Sequence, residues 1–598
     1  MGKYSIISNL RWLISYMGKE KKWLCSWPVA VTVIKVVNTL LTATLPAFVV
    51  WAFTDKSRYK ITLPLLVLVS LLSGFLSWFS NWYNRKMFWE NTKLRWHLSL
   101  KDDELYLQQP FADSLSHVKQ DERFAATQYA FSDENTGVSN FISSLANFTA
   151  TLVTLIVISL LTIKISWLVF CLIWLSMLLT DYLLQQLAVK RRHFRKKIDE
   201  QQYAREYYNK ICFAENASAD IRLYNLAPGI TAKIEAIQAQ VESSEQQISQ
   251  VKVNYQNLIQ VISFLRFAVS FCCLLLALKN GRLNITEFTF YFGLLSSVEL
   301  LLRNNCQNFM DLTAANSDIN SGRKYFSKVE QTITKQNEQM RALPTKFNIK
   351  FDHVNFGYQP DKLIIKDFTL EIKQGQQLAL VGLNGAGKTT LTLLLMGYLQ
   401  PLSGEIYVGN CPLSELSNKQ RLSFFSAMFQ ENTVLATDVL HNITVNRAAS
   451  ATKVEQLLVQ TKFAEKVAHL KAGLKTQLTH YVSDDGQNFS GGELEKLMLT
   501  RALYKNAPIM ILDEPTAALD ALAEKDLYQQ IASLTKGKTT IFISHRLAST
   551  ATSDQVCFMK AGQIIGLGSH EELLRTNQAY RNLYDSQAKY YREEQHER

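Results

Sequence analysis

Hydrophobic residues in the first half of the chain form six stretches that are each long enough to cross a lipid bilayer. A membrane-spanning helix needs roughly 20 predominantly apolar residues. The stretches cover residues 24–53, 61–82, 141–163, 167–187, 258–278 and 285–310. We therefore predict a transmembrane domain of six helices, extending over residues 23–330.

The segments between these stretches alternate between short and long. Residues 83–140 and 188–257 form the two long segments, and both are polar with a composition typical of helices. They follow the second and fourth stretches, so they lie on the same side of the membrane as the chain ends. We interpret them as extensions of the membrane helices. Residues 1–22 place apolar side chains at helical spacing and predict an amphipathic helix at the membrane interface.

After residue 330 the hydrophobic pattern changes. Residues 331–345 are polar and contain Pro344, which predicts a linker. From Phe347 to Phe356 apolar and polar residues alternate as in a β-strand. Later apolar runs at 377–381, 509–512 and 540–543 are separated by helical patterns. We therefore predict that residues 346–598 form an α/β domain with a largely parallel sheet.

The chain has a formal net charge of +12, which raises the possibility of nucleic-acid binding. The densest basic run, however, lies between Lys190 and Lys197, directly after a hydrophobic stretch. Basic residues in that position are typical of the cytosolic side of a membrane, where they contact anionic lipid. We therefore expect membrane lipid, and no nucleic acid, among the partners.

A glycine-rich turn, Gly382-Leu383-Asn384-Gly385-Ala386-Gly387-Lys388-Thr389, follows the apolar run 378–381. In a strand, loop and helix of this kind, backbone amides approach phosphate oxygens closely, and the helix N-terminus favours negative charge. Lys388 is expected to contact the β- and γ-phosphates of ATP, and the Thr389 hydroxyl is expected to bind Mg²⁺. The residues predicted to bind ATP here are Gly382, Asn384, Gly385, Ala386, Gly387, Lys388, Thr389 and Thr390. Together with the strand pattern, this motif predicts an α/β P-loop nucleotide-binding domain.

Two carboxylates follow the buried-strand pattern at 509–512. We expect Asp513 to bind Mg²⁺ at the tip of the strand and Glu514 to act as general base toward a water molecule. A purely structural acidic strand end is the alternative interpretation. The P-loop earlier in the chain favours the catalytic one.

Together with Ser490-Gly491-Gly492-Glu493, these motifs make the second half of the chain resemble the ATPase domain of ABC transporters. The six preceding stretches resemble the membrane domain of an exporter-type half-transporter of the bacterial peptide, lantibiotic and multidrug kind. The resemblance implies ATP and Mg²⁺ as cofactors and a location in the bacterial inner membrane with the ATPase domain in the cytosol. It also implies a second half-transporter, identical or different, whose ATP is covered by Ser490, Gly491 and Gly492 of this chain.

Further residues match the family pattern one by one. Tyr358 resembles the aromatic residue that stacks on adenine, although a core aromatic is the alternative. Gln430 resembles the glutamine that contacts Mg²⁺ and water. Asp520 resembles the aspartate that communicates across the dimer, and His545 resembles the switch histidine at the γ-phosphate. Ser483 and Asp484 depart from the family's usual Gly-Glu pair; Phe489 and Glu493 are tolerated variants.

Four ionisable residues within the predicted spans are candidates for substrate contact, because charges in a membrane usually face a cavity. They are Lys35, Arg266, Glu299 and Arg303. Glu299 and Arg303 lie four residues apart and could instead pair with each other on one helix.

Segments 135–138 and 220–225 resemble those of lantibiotic-type exporters, which favours export of a peptide or an amphipathic small molecule. Import of a chelate such as a siderophore remains open. So does a role as the partner subunit of a heterodimeric transporter.

Overall fold

The computed structural model describes residues 4–17, 21–53, 59–132, 136–337, 343–344, 346–359, 361–430, 433–445, 450–514, 521–544 and 547–586. The chain divides into two units. The first contains residues 1–108 and 116–330, and the second contains residues 109–115 and 331–598.

The regular elements described in the first unit are helices. They are α1 (Ile6–Tyr16), α2 (Lys21–Phe53), α3 (Tyr59–Gln108), α5 (His117–Thr127), α6 (Gly137–Thr162), α7 (Trp167–Phe213), α8 (Glu215–Leu223), α9 (Ala227–Lys279) and α10 (Ile285–Asn337), with the short α4 (Phe111–Ser114) in the second unit. Six of them are long and apolar enough to cross a membrane, namely α2, α3, α6, α7, α9 and α10. The six predicted stretches lie within these six helices, except that the third ends one residue beyond α6, and the long polar segments continue α3, α7 and α9 as expected.

Apolar side chains join five of the candidate spans, α2, α6, α7, α9 and α10, into one core. Residues such as Ile158, Val169, Leu274 and Val298, one each from α6, α7, α9 and α10, are fully or almost fully buried in it. Such faces pack together because helical spacing of 3.6 residues aligns apolar side chains on one side. Helix α10 continues to Asn337, so the segment predicted as a linker begins as helix.

Buried polar contacts also link the candidate spans. The Thr151 hydroxyl on α6 donates to Asn305 Oδ1 on α10 over 2.9 Å, and both side chains are fully buried. On the α2 and α3 side, the Ser73 hydroxyl donates to Asn38 Oδ1 over 2.7 Å. A polar group in an apolar environment is costly without a hydrogen-bond partner. These contacts therefore specify which helices pack together.

Helix α1, Ile6–Tyr16, lies within the predicted residues 1–22, and its apolar side packs against protein. Leu13 is fully buried, and the Trp12 ring lies 6.3 Å from the rings of both Phe131 and Phe326. Buried Asn9 donates to Asn316 Oδ1 on α10 over 2.9 Å. An amphipathic helix at the membrane interface was expected. The buried face of α1 instead contacts other helices of the first unit.

The described residues of the second unit form two sheets. Its strands are β1 (Ile349–Phe356), β2 (Ile365–Ile372), β3 (Gln377–Gly382), β4 (Ser403–Val408), β5 (Cys411–Pro412), β6 (Phe425–Met428), β7 (Ile509–Asp513), β8 (Thr539–Ser544), β9 (Gln555–Lys560) and β10 (Gln563–Gly568). The smaller sheet is antiparallel with the order β2-β1-β4-β5. The larger has the order β10-β9-β3-β8-β7-β6, and only β10 is antiparallel to its neighbour. The prediction of a largely parallel sheet is confirmed.

Helices cover this larger sheet. They are α11 (Lys388–Leu395), α12 (Asn418–Ser423), α13 (Val439–Thr444), α14 (Ala451–Gln460), α15 (Ala464–Ala468), α16 (Gly491–Lys505), α17 (Ala521–Leu534) and α18 (His570–Thr576). The side chains of β3, β7 and β8 are buried along their whole length. A parallel strand covered on both faces reads as an unbroken apolar run, which is why these strands were recognisable in the sequence.

Candidate functional site

The glycine-rich loop leaves the carboxyl end of β3 in the centre of the larger sheet. Gly385 and Gly387 have φ angles of +80° and +99°, a region that L-amino acids with side chains rarely adopt. Gly382 is needed for a different reason, since an added Cβ would lie 2.4 Å from the Met559 carbonyl oxygen of β9. The loop is therefore shaped by backbone geometry that only glycine permits at these positions.

Lys388 begins α11 and folds back over the loop. Its Nζ donates to the carbonyl oxygens of Gly382 over 2.8 Å and of Leu383 over 3.3 Å. Burial lowers the pKa of Lys388, and the carboxylates of Glu514 and Asp513 oppose that shift. The ammonium group thus stands at the mouth of the loop, where phosphate oxygens would replace the carbonyl oxygens as its partners.

The other predicted loop residues differ in exposure. Asn384 and Thr389 have exposed side chains, whereas Ala386 and Thr390 are buried beneath the loop. The Thr389 hydroxyl lies 3.5 Å from Asp513 Oδ2 at the end of β7. The structure thus brings the predicted pair Thr389 and Asp513 together from positions that are far apart in the sequence.

Asp513 and Glu514 occupy different environments although they are adjacent. Burial, together with the neighbouring Glu514 carboxylate, raises the pKa of Asp513 to about 6. Glu514 has a φ angle of +49° and donates its backbone N–H to the Ile543 carbonyl oxygen over 3.0 Å. This uncommon backbone conformation is fixed by the adjacent strand β8, and such conformations cluster at active sites.

Gln430 contacts the Glu514 carboxylate directly. Its Nε2 donates to Glu514 Oε2 over 3.1 Å. The two residues follow β6 and β7, which are neighbouring parallel strands. Because the carboxyl ends of parallel strands meet at one edge of a sheet, the predicted set of Gln430, Asp513 and Glu514 gathers at the edge where the glycine-rich loop begins.

The oxygen atoms of Thr389 and Asp513 fit a Mg²⁺ ion. Hydroxyl and carboxylate oxygens are the ligands that this ion prefers, and it usually takes few of them from the protein and the rest from water and phosphate. The short separation between the two side chains is compatible with binding one ion jointly.

Tyr358 is 55 % exposed, which argues against the alternative of a core aromatic. Its ring meets the Phe356 ring edge to face, with 5.3 Å between the ring centres. One face of the Tyr358 side chain therefore stays open to a planar ligand such as adenine.

The Ser490 segment forms the N-terminus of α16. The backbone N–H of Ser490 donates to Glu493 Oε2 over 2.9 Å, and Glu493 also pairs with Lys466 over 2.8 Å. Glu493 is thus a capping residue, which explains why the departure from glutamine is compatible with the fold. Ser490 and Gly491 are exposed and Gly492 is partly exposed, so their amides face away from this unit's core. Such an N-terminus favours anions.

Two predicted residues, Asp520 and His545, lie outside the described residues. So does Asn135, from one of the two segments used for the comparison with peptide exporters.

The four ionisable residues of the predicted substrate cavity do not form one group. Arg266 on α9 pairs with Glu299 on α10, and Arg266 is buried whereas the Glu299 side chain is half exposed. Arg303 is exposed one turn further along α10, and Lys35 on α2 is half-buried. The alternative that Glu299 pairs with Arg303 was wrong, because the neighbouring helix supplies a closer arginine.

A shallow cavity that is open to the surface lies along α3, and it was not predicted. It has a volume of about 470 Å³ and is lined by Asn81, Asn84, Arg85 and Phe88. These residues are spaced at intervals of three or four, so they share one face of the helix. The signal in the sequence was a set of polar residues at helical spacing just where the second apolar stretch ends.

Comparisons with known proteins agree with this geometry. Residues 365–517 match the family model described as ABC transporter. The chain is 32 % identical over 288 residues to the ATP-dependent lipid A-core flippase of Saccharophagus degradans, covering 47 % of this chain and 48 % of that protein. It is 33 % identical over 256 residues to the glutathione/L-cysteine transport system ATP-binding/permease protein of Bacillus subtilis, covering 43 % and 44 %. The matched part thus spans about half the length of these curated relatives.

The fold extends over nearly the whole chain of a solved structure. A bacterial Atm1-family ABC exporter with ATP bound superimposes with a TM-score of 0.80 at 19 % identity, covering 95 % of this chain and 99 % of that one. This likeness and the six apolar helices confirm the predicted fold class and indicate a multi-pass membrane protein. Residues 365–517 are therefore an ABC transporter ATPase domain, on a chain that has the fold of an ABC exporter.

Proposed function

We propose that this chain is one half of a transporter that hydrolyses ATP to move a substrate across a membrane. The observation that carries the proposal is the Glu514 carboxylate, hydrogen-bonded to Gln430 and adjacent to Asp513 at the edge where the glycine-rich loop begins. The names of the two curated relatives describe an ATP-dependent flippase and a transport system, which supports the same activity.

Each residue of the site has its own role in binding or hydrolysing ATP. Loop amides and Lys388 bind the phosphates, while Tyr358 stacks on adenine. Thr389 and Asp513, with Gln430, would hold Mg²⁺, which neutralises phosphate charge when bound. Glu514 accepts the proton of the attacking water, and Gln430 orients that carboxylate. His545 contacts the γ-phosphate.

A second half-transporter completes the site. The exposed N-terminus of α16, with Ser490, Gly491 and Gly492, covers the ATP that is bound to the partner, and Asp520 communicates between the two sites. Both identical and different partners are compatible with this arrangement. We place the complex in a bacterial inner membrane, with the ATPase domains in the cytosol.

The substrate that we propose is an amphipathic molecule, either a peptide or a small molecule, which the complex exports. The cavity along α3 supports this class, since it offers amide groups and a guanidinium beside the exposed Phe88 ring. The charged residues Lys35, Arg266, Glu299 and Arg303 remain candidates for further contacts.

The Glu514→Gln substitution tests the hydrolytic activity. It removes the base but keeps the shape and the contact with Gln430, so we expect the kcat for ATP to fall by about 10²- to 10⁴-fold. Equilibrium binding of a fluorescent ATP analogue should stay within about twofold of wild type, since the phosphates are bound by other groups.

The matched control is Glu371→Gln, which neutralises an exposed glutamate on β2 and should leave both measurements unchanged. Near-normal ATPase activity of Glu514→Gln would remove Glu514 as the base.

A transport assay tests the direction and the substrate class. Purified chain is reconstituted into vesicles, and uptake of a fluorescently labelled amphipathic peptide is followed with ATP outside. ATP-dependent uptake by vesicles whose ATPase domains face outward would support export, and Glu514→Gln should abolish it. Accumulation only when ATP is supplied inside, in vesicles of the opposite orientation, would contradict export.

A further inference from the structure

Three polar side chains from separate segments of the second unit meet in a buried cluster. They are Thr550 of the 3₁₀ helix Leu547–Thr552, His570 at the first position of α18, and Tyr580 beyond the end of α18. The Tyr580 hydroxyl lies 2.8 Å from His570 Nδ1, and the Thr550 hydroxyl lies 3.1 Å from the same nitrogen. Thr550 and Tyr580 are fully buried. No motif in the sequence predicts a role for these three residues.

Strand β3, which leads to the glycine-rich loop, packs beside this cluster. Tyr580 belongs to an apolar core with Ala379 and Val381 of β3 and with Phe558 of β9. The Phe558 and Tyr580 rings meet edge to face, 5.5 Å between centres. The cluster therefore packs against the central strand, whose end carries the glycine-rich loop.

Two hydroxyl groups lie within hydrogen-bond distance of a single ring nitrogen, and a hydroxyl donates to Nδ1 when that nitrogen carries no proton. Burial lowers the pKa of His570, against an opposing effect of the Glu571 carboxylate, and so favours the neutral ring at cytosolic pH. A neutral imidazole has one acceptor nitrogen and one donor nitrogen. In the arrangement proposed below, Nδ1 is the acceptor and Nε2 carries the proton.

The position of Thr550 connects this cluster to the ATP site. Strand β8 ends at Ser544, His545 follows, and the 3₁₀ helix that contains Thr550 begins two residues later. This short helix also packs against α17, β3 and β8. Hydrogen bonds depend on direction, so the contact with His570 adds a directional constraint on the orientation of the helix.

We propose that Thr550, His570 and Tyr580 form a brace that holds the 3₁₀ helix Leu547–Thr552 in position for ATP hydrolysis, at the end of the strand whose Ile543 carbonyl oxygen accepts from the Glu514 N–H. The brace rests on the proposed hydrolytic function. His570 is a positioning residue in this scheme, since it contacts Thr550 and Tyr580 and acts on ATP only through the segment that they anchor.

Steady-state ATPase kinetics of the full chain test the brace. We expect His570→Ala to lower kcat by about tenfold, a change of about 1.4 kcal/mol in the barrier, with the KM for ATP within about twofold of wild type. In His570→Asn, Oδ1 replaces Nδ1 as acceptor at a similar position, so most of the activity should return. Thr550→Val keeps the shape but loses the hydroxyl and should behave like His570→Ala.

Tyr584→Phe provides the matched control. The Tyr584 ring lies 5.3 Å from the His570 ring, and the substitution keeps that contact while removing a hydroxyl that is not part of the brace. Its kcat should equal that of wild type. If His570→Ala fails to fold, as judged by gel filtration and thermal unfolding, Thr550→Val and Tyr580→Phe carry the test with smaller changes.

Several outcomes would overturn the brace. The first is an unchanged kcat in folded His570→Ala and Thr550→Val. The second is a change confined to the KM for ATP. The third is an equal loss of kcat in His570→Ala and His570→Asn, which would indicate that His570 only packs. A wild-type chain that binds ATP without hydrolysing it would instead refute the proposed function.

Discussion

Arg323 on α10 holds the N-terminal helix α1 in place. Its Nη1 donates to the Ser8 carbonyl oxygen over 3.2 Å, to the Ser8 hydroxyl over 3.0 Å and to Asn9 Oδ1 over 3.2 Å. The guanidinium carbon also lies 3.9 Å from the centre of the Tyr4 ring and 5.5 Å from that of the Trp12 ring. We expect Arg323→Ala to weaken the docking of α1 on the first unit.

The contacts give the size of the effect. Hydrogen bonds from a charged donor contribute about 1.5 to 3 kcal/mol in buried settings, and a cation–π contact contributes about 0.5 to 1 kcal/mol at a partly exposed site. Arg323 is only half-buried, so we place the loss of α1 docking free energy at about 2 kcal/mol, near the lower end of these combined contributions. Since about 1.4 kcal/mol is a factor of ten, α1 should open about 30 times more often.

Hydrogen–deuterium exchange of the full chain in detergent measures this opening. Helix α1 has 11 residues, and a helix of that length is marginal by itself in water, so its amides should exchange once it leaves α10. Arg323→Lys keeps the charge but loses the planar donor group and should give an intermediate rate.

The matched control is Lys324→Ala, which removes the same charge from the next, exposed position of α10. Unchanged protection of α1 in Arg323→Ala, or equal effects of both alanine variants, would refute this account of the docking.

Two further predictions concern the second unit. Gly382→Ala should lower the affinity for ATP by about 5- to 150-fold, because its Cβ would meet the Met559 carbonyl oxygen at 2.4 Å and overpacking costs about 1 to 3 kcal/mol. Unchanged binding of a fluorescent ATP analogue would contradict this. His353 Nδ1 lies 2.6 Å from Asp367 Oδ1, a contact that raises the pKa of His353. The pair therefore stabilises the fold below the ordinary histidine pKa of about 6.5 and loses that effect as pH rises through the raised value. Asp367→Asn should return the pKa of His353 toward its ordinary value. Histidine C2 hydrogen exchange followed by mass spectrometry measures this pKa, and a value unchanged from wild type would contradict the prediction.

The arrangement of the candidate ATP site could largely be predicted because its motifs are local along the chain. A glycine-rich turn after an apolar run specifies a strand, a loop and a helix within about twenty residues. Lys388 and Thr389 belong to that one segment. Asp513 and Glu514 follow a strand pattern of their own, and the meeting of parallel strand ends at one edge of the sheet brings them to the loop.

The pairing of charged residues within the candidate spans was less predictable. Periodicity places Glu299 and Arg303 on one helix face, yet Glu299 pairs with Arg266, which is 33 positions away in the sequence. The choice depends on which faces of α9 and α10 meet, and helical periodicity carries no information on that.

The sequence by itself determined the six candidate spans, the parallel sheet and the composition of the ATP loop, because length, hydrophobic periodicity and glycine geometry act over short distances along the chain. Only the tertiary structure decided that α1 docks on α10, that the cavity along α3 is lined by Asn81, Asn84, Arg85 and Phe88, and that His570 contacts Thr550 and Tyr580. Each of these depends on the packing of particular faces of distant segments, which is selected by the combined burial of all their side chains.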